Sequence, residues 1–89
     1  MRIPKVLFDR RSSFEDRANA LDDMGMGPVD EKYPVAEKFL DNDCSIVLDA
    51  RKAGYVKASF LDRNGKTLDY DVFDNARGLD DFIWHCLEE

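Results

Sequence analysis

Two Gly-ended turns, Lys52-Ala53-Gly54 and Arg63-Asn64-Gly65, divide the second half of the sequence into three strands. If each turn is a three-residue loop with its glycine in the left-handed conformation, Ile46, Leu48 and Ala50 fall opposite Phe60, Ala58 and Val56. These in turn oppose Leu68, Tyr70 and Val72. The strands, about Ser45 to Arg51, Tyr55 to Asp62 and Lys66 to Phe73, are then all amphipathic in one register. Their open face carries Asp49, Lys57 and Asp71 as a cross-strand row, with Val47, Ser59 and Asp69 beside it. A two-residue Asn64-Gly65 turn would pair Phe60 with Asp69 and Lys57 with Val72. A slip of one residue exchanges the faces of a strand; a buried carboxylate costs several kcal/mol, whereas a cross-strand ion pair contributes about 0.2–1 kcal/mol. The pattern therefore predicts the longer loop and the Lys57–Asp71 pairing.

Upstream, Ser12 followed by Glu15 forms a capping-box pattern, and Phe14, Ala18 and Leu21 recur at helical spacing. This predicts a helix from about Ser13 to Met24, closed by Gly25. Met26-Gly27-Pro28-Val29 reads as a loop. Pro34 suits the first position of a second short helix that buries Ala36, Phe39 and Leu40 and ends at Asp41-Asn42-Asp43. Residues 3–8 are extended in character and are placed either as a fourth strand or across the core. After Gly78 a final helix sets Leu79, Phe82, Ile83, Cys86 and Leu87 on one stripe, with Asp80 and Asp81 in its first turn. The expected fold is one α+β domain over residues 1–89: N-terminal helices, a three-stranded antiparallel meander and a C-terminal helix packed on one sheet face. The hydrophobic content of 44% is enough for a real core in 89 residues.

The formal charge of −6 is unevenly spread. Residues 1–11 carry +3, 12–40 carry −4, 41–66 carry +1 and 67–89 carry −6. Helix, three antiparallel strands and helix is also the order of double-stranded-RNA-binding domains, and the resemblance covers topology alone. It implies lysines at the start of the last helix, where this chain has Gly78-Leu79-Asp80-Asp81. An acidic surface repels phosphates, so direct nucleic-acid binding is disfavoured. Of 19 acids 14 are Asp, whose short side chain holds charge near the backbone and can imitate phosphates before a basic partner. Size, acidity and lack of catalytic residues are similar to those of phage and mobile-element inhibitors of restriction or CRISPR systems, a similarity of class without a shared motif.

No catalytic constellation is present. His85 is the single histidine, and its neighbour Cys86 points about 100° away on a helix. Cys44 and Cys86 fit no metal-ligand spacing and read as small buried groups. Asp41-Asn42-Asp43 begins like a calcium loop, but Ile46 and Lys52 stand where that loop needs Gly and Glu. The expectation is no enzyme, no cofactor, no metal and, with neither a signal peptide nor a membrane span, a cytoplasmic protein. The predicted function is a small protein-binding inhibitor or regulator that occupies a basic, nucleic-acid-binding type of surface on a protein partner. Asp49, Asp69, Asp71, Asp80 and Asp81 would supply charge, and Tyr55, Phe73 and Trp84 apolar burial. The competing expectation is an accessory subunit or homo-oligomer assembled through the open sheet face.

Overall fold

Closely spaced turn residues leave only short runs between them, and four such runs, with the Gly27–Pro28 pair at one edge, form one antiparallel sheet with its strands in sequence order. The structure, a computed structural model, describes residues 3–88. A 3-10 turn at Lys5–Phe8 precedes α1 (Phe14–Asp23), β1 (Gly27–Pro28), β2 (Val35–Phe39), β3 (Ser45–Asp49), β4 (Val56–Leu61), β5 (Thr67–Phe73) and α2 (Ala76–Glu88). The chain is α+β, with both helices on one face of the open sheet. There α1 packs over β1 and β2, and α2 over β4 and the Phe73 end of β5. Ala36, Ile46, Leu48, Val56, Ala58 and Phe60 meet Leu21 of α1 and Leu79, Ile83 and Cys86 of α2 in one buried cluster.

Three hairpin loops are each three residues long. Leu40 N–H donates to Cys44 O (2.8 Å) across Asp41–Asp43 and Asp62 N–H to Lys66 O (2.9 Å) across the third loop, whereas at the second Tyr55 N–H donates back to Lys52 O (3.2 Å). The last loop residue is left-handed each time: Asp43 at φ 66°, Gly54 at 89° and Gly65 at 82°. Gly54 is further constrained, since a Cβ there would lie 2.9 Å from Arg10 Cγ. The first of these hairpins corrects the expected second helix. Residues 35–39 are a strand, pairing Ala36 with Leu48 and Lys38 with Ile46. A helix would have left β3 an unpaired edge; as a strand, β2 satisfies it, and the buried Pro34 accepts a hydrogen bond from Ala50 N–H (2.9 Å) just before β2 begins. Phe39, expected to be buried, is 76% exposed.

One other expectation changes, and the alternative left open for residues 3–8 is decided. Gly27–Pro28, read as loop, forms a two-residue edge strand against Glu37 and Ala36, where a proline without a donor is tolerated. Residues 3–8 add no fourth strand; they turn across the core and bury Ile3 and Leu7. The first helix stands within a residue of its predicted bounds, although Ser13 and Asp16, rather than Ser12 and Glu15, form the capping box. Its buried stripe is Arg17, Ala20 and Leu21, while Phe14 and Ala18 are exposed. Arg17 is 2% exposed. Its Nε donates to Ala50 O (2.7 Å), its Nη1 to Ser12 O and Oγ, and its Nη2 to Arg51 O (3.3 Å), while the guanidinium lies over the Phe14 ring.

The first Gly turn gives the predicted register, with Ile46 opposite Phe60, Leu48 opposite Ala58 and Asp49 opposite Lys57. The second loop is also three residues long and pairs Leu61 with Thr67, but a bulge at Leu68 follows, so Phe60 faces Asp69, Ala58 faces Asp71 and Lys57 faces Val72. This is the pairing expected of a two-residue turn, and it replaces the expected Lys57–Asp71 pair. The carboxylate penalty applies to a covered strand, whereas β5 is exposed throughout except for half-buried Phe73, so Asp69 and Asp71 stay hydrated and the penalty is not incurred. In return Phe73 turns inward, 5.5 Å from the Phe82 ring and against Gly78, where a Cβ would approach Phe73 Cδ1 to 3.0 Å.

Candidate protein-binding surface

The bulge decides what β5 presents. Leu68, Tyr70 and Val72, expected in the core, project from the open face and are 52%, 61% and 54% exposed. Val47 and Leu61 are half-buried on the same sheet face. Lys57 Nζ sits over the Tyr70 ring, 5.2 Å from its centroid, rather than between two aspartates. Of the predicted Asp49–Lys57–Asp71 row only the first pair stands.

Asp69 and Asp71 lie on the other face, the one α2 covers over β4, because their partners Phe60 and Ala58 belong to the core. Each carboxylate also turns to its own strand. Asp69 Oδ1 accepts from Tyr70 N–H (2.9 Å) and Asp71 Oδ1 from Val72 N–H (2.8 Å). On an edge strand alternate N–H groups point away from the single neighbour and invite another strand. Here two of those donors are already engaged. The edge therefore offers side chains, and its backbone is closed to strand addition over this stretch.

α2 begins at Ala76, where Asn75 Oδ1 accepts from Gly78 N–H (2.8 Å) as an N-cap does. The sequence reading started this helix after Gly78, so Asp80 and Asp81 sit in the second turn instead of the first. Asp81 is exposed and Asp80 half-buried. Trp84, 52% exposed, is one turn beyond both and shares their flank. Asp69, Asp71, Asp81 and Trp84 thus rise on one side of the sheet and Leu68, Tyr70 and Val72 on the other. Arg77 is the one base among the seven acids of residues 67–89.

The other predicted contact residues fall elsewhere. Phe73 pairs with Val56 and packs on Phe82, so it does not face Tyr55 on the open side. Tyr55 is half-buried; its ring lies 5.0 Å from Lys52 Nζ and its Oη 3.5 Å from Arg10 Nη2. Asp49 is half-buried and held by Arg51, with Nη2–Oδ2 at 2.8 Å and Nε bonded to both oxygens. That hydrogen bond and charge raise the pKa of Arg51 above its already high ordinary value. Asp49 is therefore a paired charge, less available to a partner than Asp69 or Asp71.

Among the described residues no group of three His, Cys, Asp or Glu side chains is arranged to hold a metal ion, and no helix is long and apolar enough to cross a membrane. Cys86 is buried, Cys44 is half-buried and neither is in a disulfide. Comparison with protein-family models, curated proteins and solved structures finds no match.

Proposed function

We propose that this chain is a non-enzymatic protein-binding module, an inhibitor or regulator that occupies a basic surface of a partner, of the type that holds nucleic acid. The observation that carries the reading is that β5, the long free edge of the sheet, is exposed on both faces, with Leu68, Tyr70 and Val72 on one and Asp69 and Asp71 on the other. An apolar strip of this kind serves as the desolvated centre of an interface, and the carboxylates as its charged rim. Trp84 and Asp81 extend the rim along α2. Charge on rigid elements accelerates encounter with a basic surface most strongly at low ionic strength.

The test is capture of partners from the native host, followed by kinetics on whichever partner is found. With Asp69→Asn and Asp71→Asn combined, association at low salt is expected to slow by about tenfold, with a smaller effect on dissociation. Leu68→Ser with Tyr70→Ser is expected to speed dissociation. An unchanged association rate for the Asn variant would remove the charge from the mechanism.

The apolar open face also favours a second reading, an accessory subunit or homo-oligomer joined there. Sedimentation equilibrium separates the two, because a stable dimer abolished by Leu68→Ser and Tyr70→Ser supports the second and a monomer supports the first.

A further inference from the structure

The far side of the molecule from β5 carries a separate cavity of about 540 Å³ between α1 and the segment leading into β2. Ligand sites commonly enclose about 300–1,000 Å³. Its wall is the stripe Phe14, Ala18 and Leu21, the helical pattern that the sequence offers as core-facing, met across the gap by Met26, Tyr33 and Val35. Phe14 and Ala18 are exposed, so an apolar helix stripe stands open. The charged residues of the lining are Glu15, Asp22, Asp30 and Glu31 against Lys32, and of the two guanidinium groups behind the rings, Arg51 is paired with Asp49 and Arg17 is buried. The lining is therefore apolar inside and negative outside.

The aromatic rings show where a cation would bind. Phe14 already has the Arg17 guanidinium over its ring at 5.2 Å, and Tyr33 has Lys32 at 5.5 Å and Arg51 at 5.7 Å. The two rings meet edge to face at 5.9 Å. With their faces engaged, they offer no cage for an ammonium group, and positive charge has to meet the carboxylates at the rim. Asp30 Oδ1 is partly committed, accepting from Lys32 N–H at 2.7 Å. Glu15 and Asp22 stand two turns apart on α1, about 10 Å along the helix, at opposite ends of the open stripe and with Ala18 between them.

We infer that this groove binds an extended peptide segment of a partner protein with basic, apolar and basic side chains at alternate positions. In an extended chain such side chains share one face, and the two basic residues are about 13 Å apart. Flexible arginine or lysine arms reach inward from there to Glu15 and Asp22, while the middle side chain enters above Ala18 and Leu21. A single small cation could satisfy one end of the rim only. The groove lies by β1 and β2, and β5 is the opposite edge of the sheet, so this site is independent of the surface proposed above.

The probe is acetyl-Arg-Ser-Leu-Ser-Arg-amide, titrated into ¹⁵N-labelled full-length protein and followed by amide chemical shifts. Shifts are expected in residues 14–22 and 26–36 and not in β5. Glu15→Gln with Asp22→Asn should weaken binding about tenfold, taking each exposed ion pair near the upper end of its usual range. Ala18→Trp should fill the groove and abolish the shifts; because Ala18 is exposed, its circular dichroism should match the parent's. The same peptide with glutamates for arginines should not bind, and Leu68→Ser with Tyr70→Ser should leave binding unaltered. Absence of shifts at ~1 mM peptide, equal binding of the acidic peptide, or full affinity in the Glu15→Gln, Asp22→Asn variant would each overturn the inference.

Discussion

Arg17 shows how far a single side chain can depart from its sequence signal. A guanidinium seldom stands at the centre of a helix's buried stripe, and the apolar spacing of Phe14, Ala18 and Leu21 points to a neighbouring face instead. The burial becomes intelligible only with the carbonyls of Ser12, Ala50 and Arg51 in place, and two of these arrive from the other half of the chain. Arg17→Met keeps much of the volume but strands those acceptors, so it should destabilise the protein by about 2–4 kcal/mol in urea unfolding. Asp43 and Gly54 make a matched pair at the same scale. Both are left-handed, but one carries a side chain and the other has Arg10 where a side chain would go. Asp43→Gly should be neutral or stabilising by up to about 1 kcal/mol, and Gly54→Ala destabilising by about 1–3 kcal/mol, as read from thermal midpoints.

Among the elements, β3, β4 and α2 were legible because a fixed loop length and a buried face constrain them together. β2 was not, since Val35–Phe39 is short enough for either period and Pro34 begins a helix as readily as it precedes a strand. Only the need of β3 for a second neighbour decides the matter, and that is a tertiary condition. β5 was read in the right place with its faces reversed. The missing signal was Phe73, whose ring fits beside Gly78 and Phe82 only after a one-residue shift. The reversal gives Asp69 and Asp71 a task beyond charge. Asn at both positions keeps an oxygen for the Tyr70 and Val72 N–H groups, whereas Ala releases them. The double Ala variant should therefore self-associate by strand pairing and the double Asn variant should not, as measured by light scattering over a concentration series. Equal behaviour of the two would assign the carboxylates to solubility alone.

At the scale of the molecule, the sequence conveyed the class of fold and one open sheet face with Val47, Asp49, Lys57 and Ser59 on it, but it put Asp69 and Asp71 there in place of Tyr70 and Val72. Asp69, Asp71, Asp81 and Trp84 remain candidates for contact, while Asp49, Tyr55 and Phe73 are occupied by their own neighbours. The two sheet edges are closed by different means, a two-residue strand ending in Pro28 and a longer strand whose donors meet carboxylates. One candidate binding surface lies on the β5 edge itself, and the other beside the β1 edge, between α1 and the segment leading into β2. The Arg17 contacts also impose an order in time. They span 33 and 34 residues of chain and end on the segment between β3 and β4, so this anchor of α1 cannot form until that hairpin exists. Helix docking should follow the rate-limiting step, and Arg17→Met should then speed unfolding in stopped-flow experiments while leaving the folding rate nearly unchanged.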